Sequence, residues 1–220
     1  MGSSPVRKRG RHIEAERNDH ALLEAARDVI AAQGFDAPVA AIAQQAGVGI
    51  GSLYRRYSTK EQLLQTLCVL AMHQVIDAAT AALDDADPWT GFERFVHRCI
   101  ATRSGALGPL AGKIATTEEM WQTNRHAQQL ATRVVRRAQD DGALRTDINH
   151  LDVSVMISRF SRSADANRTD DEEIIEQRMI TLMLEGLRAQ PDTTTLPGRP
   201  PTRRWYEASW QPASTTPDRS

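Results

Sequence analysis

Three cations, Arg55, Arg56 and Lys60, stand close behind Ser52 and Tyr54 in a stretch, Ala37 to Lys60, that contains no Asp or Glu. Hydroxyl and cationic side chains are the groups that meet phosphate oxygens, and an arginine fork also matches the paired acceptors of a guanine edge in the major groove. The chemistry on offer is recognition of a polyanion. Bond-making chemistry has no comparable constellation. His97 and Cys99 are too close in sequence to share a helical face, Cys68 and His73 sit five apart on one helix, and no spacing suits a metal. The expectation is a protein that is not an enzyme and needs neither metal nor cofactor.

To reach a duplex, those side chains must stand on the outer side of a short rod, and the surrounding pattern supplies one. Val39, Ile42, Ala43 and Ala46 recur at helical spacing, and Gly47 follows where a left-handed residue ends a helix. Val48 plugs the turn, Gly49 is a modest cap, and a second helix is expected over Ile50–Tyr57. Leu53 and Tyr57 lie four apart and point inward, which turns Ser52, Tyr54, Arg55 and Arg56 outward. Ser58-Thr59-Lys60-Glu61 has the Ser-x-x-Glu form of a capping box and opens a third pattern through Leu63, Leu64, Leu67, Leu70 and Val75. Lys60 falls in its first turn, where free backbone N–H groups favour a phosphate. Two short helices about a Gly-Val-Gly turn are the layout of a helix-turn-helix, whose partner is double-stranded DNA. The glycines do not make a nucleotide-phosphate loop, because no strand precedes them.

Total charge is silent, at −1 over 220 residues, but its distribution is not. Residues 1–60 hold nine Lys/Arg against six Asp/Glu, and the rest hold eighteen against twenty-two, so a basic end is joined to an acidic body. Arg7-Lys8-Arg9 and Arg11 form a short basic arm that could enter a minor groove or follow phosphates.

The segment Ala21–Leu67 resembles the N-terminal DNA-binding domain of TetR-family transcriptional regulators. The matching elements are Leu22-Leu23-x-Ala25-Ala26, Gly34-Phe35, Ile42-Ala43-x-x-Ala46-Gly47-Val48, Gly51-Ser52-Leu53-Tyr54 and Lys60-Glu61-x-Leu63-Leu64. This resemblance implies that Ser52, Tyr54 and Lys60 touch phosphates and that Ile50, Gly51, Arg55 and Arg56 face bases. The chain departs from the family at Ala37-Pro38, where a Thr or Ser commonly caps the second helix and contacts phosphate, and at Gly49, where Ser is common. Proline suits a first helical position, so the second helix can still start.

Beyond residue 65 the pattern stays helical. A fourth helix is expected from Thr59 to near Leu83, and Asp87-Pro88 restarts the chain as N-cap and first residue of the next. Phe92, Phe95, Val96, Cys99 and Ile100 mark one buried stripe. Ser104 to Lys113, rich in glycine, reads as a turn-rich connection; helices then follow from about Thr117 to Asp141, Leu151 to Phe160 and Ile174 to Leu187. The last is apolar nearly all round through Ile174, Ile175, Met179, Ile180, Leu182, Met183, Leu184 and Leu187, too apolar to be covered on one side alone. The resemblance implies that the last two helices make a four-helix homodimer interface, and that the middle helices enclose a small-molecule effector. Candidate lining residues are Met72, Phe92, Phe95, Val96, Met120, Trp121 and Val134, with His73, His97 or Gln122 as orienting groups.

The expected fold class is all-α, an N-terminal three-helix helix-turn-helix domain plus a C-terminal helical ligand-binding and dimerisation domain. Its parts are a basic flexible arm (1–18), the DNA-binding domain (19–65), the effector-binding and dimerisation domain (66–190) and a Pro-rich tail (191–220). That tail holds six of the ten prolines and is expected to be disordered, although Trp205, Tyr206 and Trp210 are unusual for such a segment. No apolar run reaches the length of a membrane span, no apolar stretch follows the basic start, and Cys68 and Cys99 fit reduced core thiols, so a cytoplasmic protein without a membrane partner is expected. The resemblance implies a repressor released from a palindromic operator by its effector. The alternative is a helical protein-binding adaptor that does not use DNA.

Overall fold

The structure, a computed structural model, describes residues 19–30, 32–110, 112–161, 169–192 and 194–209. The basic arm and Trp210 lie outside the described residues. The regular elements among the described residues are helices: α1 (residues 19–30 and 32–33), α2 (Val39–Gln45), α3 (Ile50–Arg56), α4 (Lys60–Leu83), α5 (Pro88–Ala101), a 3-10 turn (Gly108–Leu110), α6 (Glu118–Asp140), α7 (His150–Ser161), α8 (Asp170–Leu187) and α9 (Arg203–Ser209). Among the described residues no strand forms, and extended pairing is limited to one isolated bridge between Leu144 and Arg188.

The helix boundaries follow local chemistry. Gly47 takes φ +67°, which lets Val48 N–H reach the Ala43 carbonyl and Gly47 N–H the Gln44 carbonyl, closing α2 and turning the chain toward α3. Asp87 caps α5 by accepting from Thr90 N–H at 2.7 Å, with Pro88 the first helical residue as expected. Those hydrogen bonds from Thr90 hold the Asp87 carboxyl below its ordinary range. Two caps differ from the sequence expectation by one residue. Thr59, not Ser58, caps α4 by accepting from Gln62 N–H, and Gln62 Oε1 in turn accepts from Ser58 N–H. Pro38 is the N-cap of α2 and Val39 its first residue. At α4 the Thr59 hydroxyl satisfies one orphan N–H of the first turn, while Gln62 ties back the residue before the cap.

Two apolar cores result. The first joins α1, α2, α3 and the first half of α4 through Leu23, Ile42, Leu53, Tyr57, Leu63, Leu64 and Leu67. The second joins the far end of α4 to α5, α6, α7 and α8. By length and composition α4 could cross a membrane, but it serves as the helix common to both cores. Arg137 on α6 reaches back to the carbonyls of Ala82, Leu83, Asp85 and Ala86, satisfying orphan acceptors at the end of α4. The composition of residues 191–220 predicts disorder, yet the described part carries α9 and is tied to the body. Specific long-range hydrogen bonds override a composition that by itself supports no packed core.

His150, the first residue of α7, is mostly buried. Its Nδ1 meets Thr132 Oγ1 at 3.1 Å, and its Nε2 has no hydrogen-bond partner among the described residues. Burial, reinforced by the charge of Arg136 and opposed by that of Asp152, lowers its pKa from the ordinary 6.5. The unfolded chain therefore takes up a proton first as pH falls, and stability contributed by neutral His150 is present above 6.5 and lost as pH drops through the lower folded value. Thermal midpoints measured from about pH 7 to about pH 5 are expected to fall more steeply for the wild type than for His150→Gln. Parallel curves would show that the imidazole has no such role.

Candidate nucleic-acid interface and body cavity

α3 stands on the first core by two side chains. Leu53 and Tyr57 are buried, while Ile50, Gly51, Ser52, Tyr54, Arg55 and Arg56 are exposed, Tyr54 by 53%. The helical phase read from the sequence therefore matches the structure, and an exposed apolar Ile50 and an exposed aromatic Tyr54 beside two arginines are costly on a surface with no partner. Gly49 precedes α3 without any side-chain cap, which leaves the first N–H groups of the helix open.

The cations on this surface are not equivalent. Arg55 contacts Ser52 Oγ at 3.0 Å and is otherwise directed to solvent. Arg56 is paired with Asp19 at the start of α1, donating from Nη2 to Oδ2 at 2.8 Å, and its guanidinium lies 5.3 Å from the Tyr57 ring centre. The hydrogen bond to Asp19 raises the Arg56 pKa against the opposing effect of burial. Lys60 donates from Nζ to the Phe35 carbonyl at 2.6 Å and sits 4.9 Å from the centre of the Phe35 ring. Exposed Lys113, from the connection after α5, approaches the same ring at 5.8 Å. Arg56 and Lys60 thus hold α1 against α3 and α4 while adding positive charge beside the outer face. Long-range pairings of this kind leave no trace in local sequence, and Lys113 carried no signal because α4 and α5 separate it in sequence from the motif.

The body encloses a cavity of about 360 Å³, in the range that takes a small organic molecule. Of the candidate lining residues, Met72 from α4 and Phe95 from α5 border it, while Phe92, Val96 and Val134 are packed inside the second core. Met120 is buried against the first core, and with half-buried Trp121 it borders a separate gap of about 10 Å³, too small for more than a water. An apolar stripe does not distinguish a side chain that fills a core from one that faces a hole. His73, His97 and Gln122 are exposed outside the cavity; its buried polar side chain is Asn124, with half-buried Gln128 one turn away on α6. Asn124 interrupts the apolar series Met120, Ala127, Leu130, Ala131, and that interruption was the available signal. Cys68 and Cys99 also line the cavity as free thiols, and burial pushes each pKa up to about 12, so both act as apolar wall. Trp205 and Tyr206 of α9 complete the lining.

The connection between α5 and α6 touches both places. Ser104, Gly105, Leu107 and Gly108 face the cavity, while Leu107, Leu110 and Ile114 belong to the first core. Arg103, left-handed at φ 49°, pairs with Asp28 of α1, and fully buried Arg27 bridges Glu24 at 2.6 Å and Gln74 of α4 at 2.7 Å. At the other end, Glu61 accepts from Ala115 N–H and Gln65 donates to the Ala115 carbonyl, each at 2.8 Å.

A family model of bacterial regulatory proteins of the tetR family matches residues 22–67, and one of the C-terminal domain of SbtR-like transcriptional regulators matches residues 87–189. Solved structures of the same fold include a TetR transcriptional regulator from Streptomyces coelicolor, 23% identical with a TM-score of 0.57, covering 78% of this chain and 99% of its own. A tetR-family regulator from Rhodococcus RHA1 is 23% identical at a TM-score of 0.56, over 79% and 98%. The ketosteroid transcriptional regulator KstR2 of Mycobacterium tuberculosis is 18% identical at 0.58, over 77% and 94%. With an outward helix-turn-helix on a helical body and both parts matched, the chain belongs to the TetR family of DNA-binding transcriptional regulators.

Proposed function

We propose that this chain is a homodimeric, cytoplasmic repressor that leaves a palindromic operator when a small molecule occupies the body cavity. The observation that carries the reading is the shared wall: one connection, residues 103–116, packs its apolar side chains into the core beneath the helix-turn-helix while its other face borders the cavity. A ligand that displaces this wall acts on the seat of α1 and α4, and so on the direction of α3. Operator affinity then falls only by the difference in ligand affinity between the two arrangements. The family assignment removes the main attraction of the adaptor alternative, which had the amphipathic helices but no use for an exposed cationic α3.

Ser52, Tyr54, Arg55, Arg56 and Lys60 are the proposed DNA-facing side chains, with Ile50 and Gly51 close to the bases. Arg55 is the best placed to read a base edge, because Arg56 and Lys60 are already engaged with Asp19 and Phe35. Selection of bound sequences from random duplex, followed by affinity measurement, is expected to show Arg55→Ala losing about 1–3 kcal/mol with relaxed preference at one position. Lys60→Ala is expected to weaken all sequences alike. Wild-type affinity and preference in both variants would remove α3 from the interface.

Dimerisation is proposed through α8. Ile180, Leu184 and Leu187 are buried in the body, whereas Ile175, Met179 and Leu182 form an outward stripe at helical spacing, with Leu182 65% exposed. Gly186 continues the stripe with open space around it, so a second backbone could come close. A two-fold pair would present two α3 helices to successive major grooves about 34–36 Å apart. Leu182→Asp is expected to cost about 2–4 kcal/mol of association and to sediment as a monomer at micromolar concentration. A variant that remains dimeric would place the interface elsewhere.

The shared wall can be moved without a ligand. A Cβ on Gly105 would lie 2.5 Å from Ser158 Cα, a backbone atom, so Gly105→Ala must shift the connection against α7. It is expected to weaken operator binding by about 1–3 kcal/mol, the usual size of a coupling between sites, with helical content retained. Unchanged affinity by fluorescence anisotropy would exclude this route.

A further inference from the structure

The chain leaving α8 is fastened stepwise by one loop of the body. Ala189 N–H donates to the Ala143 carbonyl at 2.9 Å, Arg145 Nη2 to the Thr194 carbonyl at 2.8 Å, Leu196 N–H to Asp147 Oδ2 at 3.3 Å, and Asn149 Nδ2 to the Pro201 carbonyl at 2.9 Å. Thr202 then caps α9 by accepting from Trp205 N–H at 3.2 Å. A seven-residue helix has no independent stability in water, so α9 exists because it is held against the body. The place where it is held is the cavity: Trp205 and Tyr206 both line it, and the Tyr206 hydroxyl donates to Asn124 Oδ1 at 3.2 Å. Trp205 nevertheless remains 54% exposed, leaving apolar ring surface at the edge of an apolar hole.

We infer that α9 is the outer wall of the ligand site, and that Trp205 and Tyr206 make the site select a neutral, largely aromatic molecule carrying a hydrogen-bonding group for Asn124 and Gln128. This rests on the reading of the cavity as the effector site and names the class of effector. The rings come from Phe95, Trp205 and Tyr206. Neutrality follows from the polar groups: Ser104 and Ser154 already donate to the carbonyls of Cys99 and His150, and the deep acceptors and donors are amides and a phenol. Arg159 is the one charged side chain among the described residues of the lining, and it is exposed. A ligand charge carried inward would lose water without gaining a counter-charge.

Asn149 is the positioning residue. Its Oδ1 accepts from Leu151 N–H at 2.7 Å at the start of α7, while its Nδ2 holds the tail. Asn149→Asp keeps the first function and removes the second, placing an acceptor against the Pro201 carbonyl.

The full-length protein is titrated with N-phenyl-1-naphthylamine, a neutral apolar fluorophore, and with its anionic relative 1-anilinonaphthalene-8-sulfonate. Saturable binding of the neutral probe is expected, at least about tenfold tighter than the anion, since 1.4 kcal/mol of desolvation is that factor. Trp205→Ala is expected to weaken the neutral probe about tenfold, and Tyr206→Phe and Asn149→Asp several-fold, with thermal midpoints near the wild type. Ala127→Phe, which fills the cavity from α6, is expected to abolish binding. Loss in Ala127→Phe with wild-type affinity in Trp205→Ala and Asn149→Asp would overturn the assignment of α9 and leave the cavity as the effector site. Retained binding in Ala127→Phe, or no binding by the wild type, would overturn both. Tighter binding of the anion would overturn the neutral class.

Discussion

A single helix belongs to two cores, and that constraint fixes how the two halves of the molecule are joined. α4 has 24 residues, about 36 Å of rigid rod. Leu63, Leu64 and Leu67 at its start are sealed in the core under the helix-turn-helix, while Ala78, Ala79 and Ala82 near its end are sealed between α5 and α6. Small residues at the far end bring the neighbouring backbones close: a Cβ on Gly91 of α5 would meet the Ala82 carbonyl oxygen at 2.4 Å. Packing this tight does not deform smoothly, and it joins the two cores through one rod.

The electrostatics at the junction reinforce that geometry. Arg27 is wholly buried, and burial lowers its pKa against the opposing pull of Glu24. Two of its donors find Glu24 and Gln74, but Nε has no hydrogen-bond partner among the described residues. An arginine in such a position contributes little net stability, because the loss of water offsets most of what its partners return. What it does supply is register: Gln74 on α4 and Glu24 on α1 must both be in place for the charge to be tolerated. Nearer to solvent, Lys60 on the Phe35 carbonyl and Arg56 on Asp19 fix the two ends of α1 against α4 and α3.

How far the sequence reveals this depends on the range of the interaction. The inward phase of Leu53 and Tyr57, the turn at Gly47 and the Asp87-Pro88 start are settled by neighbours within a few residues, and they were legible. The engagement of Arg56 and Lys60 was not, because Asp19 and Phe35 are tens of residues away and carry no local mark of the pairing. The cavity was only partly legible. Apolar periodicity identifies a buried face, and Phe92, Val96 and Val134 have it as surely as Met72 and Phe95; whether a buried face meets another side chain or a void depends on how three helices converge. The tail shows the opposite failure, since its prolines and threonines argue against a core and its order comes from partners in the loop 143–149.

The strained point of the junction is Arg103. It is a non-glycine residue at φ 49°, a conformation that costs about 1–2 kcal/mol, and its guanidinium pairs with Asp28 while Nε and Nη2 lack partners among the described residues. A residue that is strained and incompletely satisfied is held there by its surroundings and gains when they relax. Arg103 is followed immediately by Ser104 and Gly105 on the cavity wall. The strain of the left-handed turn is of the same order as the 1–3 kcal/mol that couples typical paired sites, so its release would be enough to bias the seat of α1 between two positions. On the proposed repressor reading, a ligand that favours a relaxed turn would need no contact with the DNA-binding domain: it would have only to bind better with the Arg103–Asp28 pair open.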